Sequence, residues 1–218
     1  MGKLWQAGGV GSHDRAGTQR LEWGIVRGAY AIDAPDAFVP WEPRAAVTTL
    51  ILFIVLAFAY RFAMLAVSIR HEKALRAAGA VEHGARNTLA LTIAHIAFYL
   101  SATVEGLVRA APIDAVSGFG FAIYLFGAAM LLVVVRLLGR LWTVKLLIAR
   151  DHHLVTHPLF RLVRHPNYFL NILPELVGFA LTLHAYCTLV AGLVVYLVPL
   201  TIRIRQEERA MRETFAAY

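Results

Sequence analysis

The first long apolar run of the chain is residues 45–67, AAVTTLILFIVLAFAYRFAMLAV. A helix rises about 1.5 Å per residue, so a run of this length crosses the roughly 30 Å hydrocarbon core of a bilayer. Arg61 is its one charged residue. The run therefore predicts a membrane-spanning helix, and similar apolar runs recur along the chain up to residue 202.

The composition of the whole chain agrees with that prediction. Of the 218 residues, 59% are apolar and only 16% are charged, and the mean hydropathy is +0.61, whereas charged residues make up about 25% of a soluble domain. We therefore expect an all-α integral membrane protein. The net charge of +7 indicates no nucleic-acid partner, because the basic residues form no stripe with interleaved aromatics. A single cysteine, Cys187, excludes an intramolecular disulfide.

Five membrane-spanning helices account for the apolar pattern, and a charged C-terminal helix follows them. The predicted spans are residues 45–67, 88–108, 117–138, 168–184 and 185–202. Basic residues follow the first, third and fifth spans, whereas between the second and third the sole basic residue is Arg109, directly after the second span. By the positive-inside rule, the N-terminus then lies outside and the loop after the third span faces the cytoplasm.

The domain organisation follows from these spans. Residues 1–44, rich in glycine and proline, predict a tail with an interfacial helix at residues 21–32. Residues 45–218 predict one membrane domain. Between the first two spans, residues 68–87 predict an amphipathic helix on the cytoplasmic surface, which ends near Gly79.

The most unusual stretch is residues 152–168, HHLVTHPLFRLVRHPNY, which lies between apolar runs. Pro158 and Pro166 each fix a backbone angle and remove a donor, so this stretch cannot be a plain spanning helix. It also carries four histidines and two arginines. Polar groups at the edge of a bilayer are usually there for function, so this loop is the predicted site.

Four residues of this region are expected at one membrane depth: His165, Tyr168, Arg203 and Glu207. Arg203 and Glu207 are four residues apart and so share a helix face, and Pro199 one turn earlier is able to bend that helix. The alternative interpretation is an ordinary ion pair where the helix leaves the membrane.

A metal site is the competing interpretation of the histidines. His153 and His157 have the spacing of zinc ligands on a helix. However, the residues between them are poor helix formers, Pro158 follows, and no glutamate accompanies the pair. We therefore expect no metal.

Two segments, LVTHPLFRLVRHPNYFLN at residues 154–171 and RIRQEERAM at residues 203–211, resemble the isoprenylcysteine carboxyl methyltransferase family. This family of integral membrane enzymes is related to the phospholipid methyltransferases. Residues 70–87 and 138–148 are similar to its bacterial branch, so the resemblance covers roughly residues 68–218. It implies a multi-pass protein of the bacterial inner membrane, with its site facing the cytoplasm.

The resemblance implies S-adenosyl-L-methionine as the cofactor. The implied cofactor contacts are Lys145, His152, His153, Leu154, Val155, Phe160, His165, Pro166, Asn167, Tyr168 and Glu207. Arg203 is implied as the catalytic residue that faces the methyl acceptor. The chain departs from the family pattern in two places: His157-Pro158 stands where a glycine is usual, and Phe160 replaces a tyrosine.

Glu175 lies one to two turns past this loop and is the second predicted acceptor contact. The preferred interpretation of Glu175 is nevertheless structural: it is expected to pair across spans with the other intramembrane charges, Glu105 and Arg136, because buried charges normally find partners.

The expected function is methyl transfer to a lipophilic acceptor that resides in the bilayer among membrane lipids, with a carboxylate preferred. A carboxylate is ionised at neutral pH and needs no general base, whereas a phenol would need one, such as His165 or Glu207. Phospholipid amines and phenolic lipids remain alternatives. An alternative of another class is a transporter or lipid-binding protein. The oligomeric state stays open.

Overall fold

The computed structural model describes residues 41–148 and 157–214. Its α-helices are α1 Trp41–Ala77, α2 Ala85–Arg109, α3 Ala115–Leu138, α4 Pro158–Leu162, α5 Leu173–Thr182 and α6 Leu193–Thr214. Two π-helical segments, Asn167–Ile172 and Thr188–Gly192, lead directly into α5 and α6, and a short 3₁₀ turn, Gly139–Leu141, follows α3. The predicted tail, residues 1–44, lies almost wholly outside the described residues.

Within the described residues, four helical stretches are long and apolar enough to cross a membrane: Ala45–Ala77, Ala85–Arg109, Ala115–Leu141 and Thr188–Glu213. Large apolar side chains cover their outer faces; Phe62 is 65% exposed, Val108 80% and Phe119 65%. Such faces are expected against lipid and not against water. The protein is an all-α integral membrane protein, which confirms the predicted fold class.

The segment predicted as a fourth span, residues 168–184, is shorter and more buried than the four long apolar helices. The π-helical segment and α5 together cover only 167–182, and most of α5 is buried within the protein. A helix enclosed by protein is apolar on every side, which is also how a lipid-facing span looks in sequence. This segment packs mainly on α3, and its role as a span stays a prediction.

The separate surface helix predicted at residues 68–87 is not formed. Instead α1 continues without a break to Ala77, because no glycine or proline interrupts the chain before Gly79, where φ is +79°. The strand β1, Val81–His83, follows and pairs antiparallel with β2, Leu146–Ile148. This pairing joins the segment after α1 to the segment after α3.

Glycines allow α5 and its π-helical lead-in to pack directly on α3. A Cβ atom on Gly127 of α3 would lie 2.8 Å from the backbone nitrogen of Glu175 and 2.9 Å from the carbonyl oxygen of Asn171. A Cβ on Gly178 would overlap the backbone of Tyr124. Small residues at such crossings let helix backbones approach closely. Here they fix the position along α3 of the segment that carries Tyr168.

Candidate active site

A cavity of about 450 Å³ lies among the end of α3, the segment after it, α4 and α6. The predicted residues that line it are Lys145, Phe160, His165, Pro166, Asn167, Tyr168, Arg203 and Glu207. The predicted contacts His152, His153, Leu154 and Val155 lie outside the described residues. Glu175 is not among the residues that line the cavity.

The two prolines shape the cavity wall between α4 and α5. Pro158 stands in the first turn of α4, and the His157 ring caps that helix by accepting the N–H of Leu159 at 3.2 Å. The His157-Pro158 departure from the family pattern is thus a helix start. The five-residue helix ends at Leu162, and Pro166 begins the next helical segment. The described part of the stretch, residues 157–168, is not one continuous helix, as the prolines predict.

Tyr168, Arg203 and Glu207 form one hydrogen-bonded group. The Tyr168 hydroxyl donates to Oε2 of Glu207 at 2.6 Å and accepts from Nε of Arg203 at 3.3 Å. Among the described side chains, Arg203 and Glu207 form no ion pair with each other. The simple ion-pair interpretation of their spacing is therefore not what the structure adopts; a tyrosine from another helix lies between them.

Arg203 is buried, with only 4% of the residue exposed, and its guanidinium group donates hydrogen bonds to three segments. Besides its bond to Tyr168, its Nη1 donates to Oγ1 of Thr88 at 2.8 Å and its Nη2 to the carbonyl of Val144 at 3.0 Å. A guanidinium has five N–H groups, so these bonds leave one N–H on Nη1 and one on Nη2. A guanidinium binds a carboxylate bidentately through two such N–H groups.

His165 lies beside two carboxylates. Its Nε2 is 3.3 Å from Glu208 and its Nδ1 is 3.8 Å from Glu207, and only 6% of the residue is exposed. Burial lowers the pKa of His165, but the neighbouring carboxylates of Glu207 and Glu208 outweigh it and hold that pKa above its ordinary value. Nδ1 has no hydrogen-bond partner among the described residues and belongs to a residue that lines the cavity.

Three side chains on one face of α1 hold the segment after α3: Ser68, His71 and Glu72. Ser68 Oγ accepts the N–H of Val144 at 2.9 Å. The His71 ring lies 2.8 Å from the carbonyl of Trp142. Glu72 pairs with Lys145 at 2.6 Å. Lys145, a predicted cofactor contact, lines the cavity with its charge already paired.

Glu175 lies deeper in the membrane domain. It is fully buried, forms an ion pair with Arg61 of α1 and accepts a hydrogen bond from Tyr99 of α2. The sequence predicted that Glu175 pairs with the intramembrane charges Glu105 and Arg136. Glu175 does pair with a charge on another helix, but that charge is Arg61.

Glu105 instead holds the far end of the hairpin between α5 and α6. Its carboxylate accepts the backbone N–H groups of Cys187 at 2.9 Å and Thr188 at 2.7 Å, and it pairs with Arg109 at 3.0 Å. Arg136 is exposed on α3.

Eight polar side chains, buried except for the half-buried Arg61 and His95, form two layers. The layer at the cavity contains Ser68, Thr88, Tyr168 and Arg203. The deeper layer contains Arg61, His95, Glu175 and Tyr196. Each deeper residue is seven positions from its counterpart on the same segment, which is two helical turns or about 10 Å. Ser68 and Thr88 were missed by the sequence analysis, and this shared spacing is the pattern that relates them to Arg203 and Tyr168.

Comparison with known proteins identifies the family. Residues 120–213 match the sequence model of the isoprenylcysteine carboxyl methyltransferase family. The chain belongs to this methyltransferase family. An uncharacterized protein of Haemophilus influenzae is 47% identical over 168 residues, which cover 75% of this chain and 98% of that protein. The uncharacterized protein YpbQ of Bacillus subtilis is 28% identical over 170 residues, 74% of this chain and 96% of its own length. No solved structure matches.

Proposed function

We propose that this protein transfers a methyl group from S-adenosylmethionine to a carboxylate on a lipophilic acceptor in the membrane. The observation that carries the proposal is the group of Tyr168, Arg203 and Glu207 on one cavity of a chain from a methyltransferase family. The cofactor supplies an activated methyl group on a positively charged sulfonium. The residues of the chain bind it, orient the acceptor and keep water away.

The cavity has the size and chemistry for that cofactor. About 450 Å³ lies within the range of small-molecule pockets, roughly 300–1,000 Å³. Glu207 offers a carboxylate to the cationic part of the cofactor, and Phe160 and Trp142 offer aromatic faces to its adenine. The unpartnered Nδ1 of His165 is a further polar group for a ligand. Buried polar atoms normally have a hydrogen-bond partner. The Nδ1 atom of His165 therefore supports the binding of a ligand in the cavity.

Arg203 is the proposed acceptor contact. Its two remaining N–H groups suit a carboxylate, and its burial strengthens the pairing relative to water. An acceptor carboxylate arrives ionised at neutral pH, so no residue has to remove a proton. Close by, α3 contributes the apolar side chains Val134 and Leu138 to the same cavity, which suits the hydrocarbon part of an acceptor.

The proposed location is a bacterial inner membrane with the cavity facing the cytoplasm. The cavity wall carries Lys145, Arg161 and Arg164, and the segment between α2 and α3 at the other end of the bundle has no basic residue. Basic residues concentrate on the cytoplasmic side of membrane proteins, which supports this orientation.

The test is methyl transfer from radiolabelled S-adenosylmethionine to N-acetyl-S-farnesylcysteine, a prenylated carboxylate. We expect Arg203→Lys to lower transfer about 100-fold or more while the cofactor still binds, since lysine loses the bidentate geometry. Arg205→Lys, an exposed neighbour on α6, is the control and keeps wild-type transfer. Transfer to phospholipid amines but not to the carboxylate would overturn the proposed acceptor class.

A further inference from the structure

Thr88 connects the N-terminal half of the membrane domain to the cavity. It stands in the first turn of α2, outside residues 120–213 that match the family model. Only 6% of Thr88 is exposed, and its Oγ1 accepts the 2.8 Å hydrogen bond from Nη1 of Arg203. Its neighbour Asn87 donates to the carbonyl of Pro199 at 3.0 Å, one turn before Arg203 on α6. Two adjacent residues thus fix the start of α2 against α6.

A buried guanidinium depends on such bonds for its orientation. The bonds from Arg203 to Tyr168, Val144 and Thr88 come from three different segments, so together they fix the plane of the group. A donor in a buried site that loses its partner carries the full cost of desolvation. Without the Thr88 hydroxyl, the guanidinium would turn to find another partner.

We infer that Thr88 is a positioning residue for methyl transfer: its hydroxyl orients Arg203 so that the free N–H groups on Nη1 and Nη2 meet the acceptor carboxylate. This inference rests on the proposed function. It assigns to α2 an indirect part in acceptor recognition, although none of the described cavity-lining residues belongs to α2. The role acts through Arg203, so it concerns the acceptor first; Glu207, on the cofactor side, is reached from Arg203 only by way of the Tyr168 hydroxyl.

The experiment compares Thr88→Val, which has the same shape without the hydroxyl, with Thr88→Ser, which keeps it. Thr92→Val is the matched control, because the Thr92 hydroxyl one turn along α2 bonds only to the carbonyl of Thr88 at 2.8 Å. For each variant, calorimetry gives the cofactor Kd, and kinetics with N-acetyl-S-farnesylcysteine give kcat and KM. The thermal midpoint reports folding.

We expect Thr88→Val to lower kcat/KM for the acceptor about tenfold or more, the effect of losing one hydrogen bond to a charged group. The cofactor Kd should change much less than kcat/KM, because Arg203 is linked to Glu207 through Tyr168 and does not bond to it directly. Thr88→Ser should keep most of the wild-type kcat/KM, and Thr92→Val should behave as wild type. If Thr88→Val weakened cofactor binding as much as it lowered kcat/KM, and also lowered the thermal midpoint, the role of Thr88 would be merely structural. That result would overturn the inference.

A second readout does not depend on activity. The Nε–H group of Arg203, assigned in the nitrogen-15 spectrum by its loss in Arg203→Lys, should shift and exchange faster in Thr88→Val but not in Thr88→Ser. An unchanged signal in Thr88→Val would contradict the inference even if the wild type transferred no methyl group. Absence of transfer by the wild type, with this signal changed, would count against the proposed function alone.

Discussion

The hydroxyl of Tyr168 donates a 2.6 Å hydrogen bond to Glu207 and lies 3.3 Å from Nε of Arg203. Arg203 and Glu207 are one turn apart on α6, a spacing at which opposite charges usually pair directly. Tyr168 lies between them, so the carboxylate and the guanidinium are kept apart. In our account, each is thereby left for a different ligand: Glu207 for the cofactor and Arg203 for the acceptor.

Tyr168→Phe should weaken cofactor binding. The substitution removes the hydroxyl that orients Glu207, and a hydrogen bond to a charged group contributes about 1.5–3 kcal/mol. We therefore expect the Kd for S-adenosylmethionine to rise about tenfold or more, measured by calorimetry. Tyr186→Phe is the control, because that hydroxyl bonds to His184 at the opposite end of the bundle. An unchanged Kd in Tyr168→Phe would mean that Glu207 needs no orienting partner.

His165 should contribute to stability in a pH-dependent way. Its pKa is raised in the folded protein, so the contribution is fully present below the unfolded pKa of about 6.5 and is lost as the pH rises through the folded value. The difference in thermal midpoint between wild type and His165→Gln should therefore shrink from about pH 5.5 to about pH 8.5. His83→Gln, in β1, provides the reference for replacing a histidine outside the cavity. A difference that grew with pH would contradict the raised pKa.

The ion pair between Arg61 and Glu175 should stabilise the folded protein. Arg61→Met leaves a fully buried carboxylate without its cation, which we expect to lower the free energy of unfolding by about 3–5 kcal/mol. The double variant Arg61→Met/Glu175→Gln should regain most of it, because neither charge remains. Unfolding in mixed detergent micelles gives the free energy of unfolding of the single and the double variant.

The same variants test the predicted acceptor contact at Glu175. If Glu175 has only a structural role, Glu175→Gln should leave KM for the acceptor unchanged after correction for folded protein. A large rise in KM without any loss of stability would instead show that Glu175 contacts the acceptor, as its position in the sequence predicts.

Gly127 should tolerate no side chain. Gly127→Ala places a Cβ 2.8 Å from the backbone of Glu175, so α3 and α5 must separate, at about 1–3 kcal/mol. Gly118→Ala on the same helix is the matched control: a Cβ there meets nothing within 4 Å. It should be neutral, or stabilising by up to about 1 kcal/mol, through helix propensity. Equal thermal midpoints for the two variants would contradict the close packing of α3 and α5.

The sequence predicted the membrane-spanning helices well because their apolar runs are local features. Residues 168–184 stay a predicted span, since a helix buried in protein and one buried in lipid have the same composition. The sequence analysis separated residues 68–77 from α1, because their charges indicated a change of environment. The charges are instead used within the protein: Glu72 pairs with Lys145 and with Arg76.

For the site, prediction depended on which residues carry a motif. His165, Tyr168, Arg203 and Glu207 lie in polar segments that stand out from the apolar background. Thr88 is a single hydroxyl at the start of a spanning helix, and nothing in its neighbours indicates a partner 115 residues away. Such contacts are set by how the helices align, which local patterns do not encode.

The most direct test of the central claim is calorimetric titration of the detergent-purified protein with S-adenosylmethionine. Glu207→Gln removes the carboxylate that lines the cavity, and Glu213→Gln removes an exposed one from the same helix. Our account predicts saturable binding by the wild type and Glu213→Gln, and a Kd about tenfold or more weaker in Glu207→Gln. Folded wild-type protein that binds no cofactor, or equal binding by all three proteins, would contradict the account.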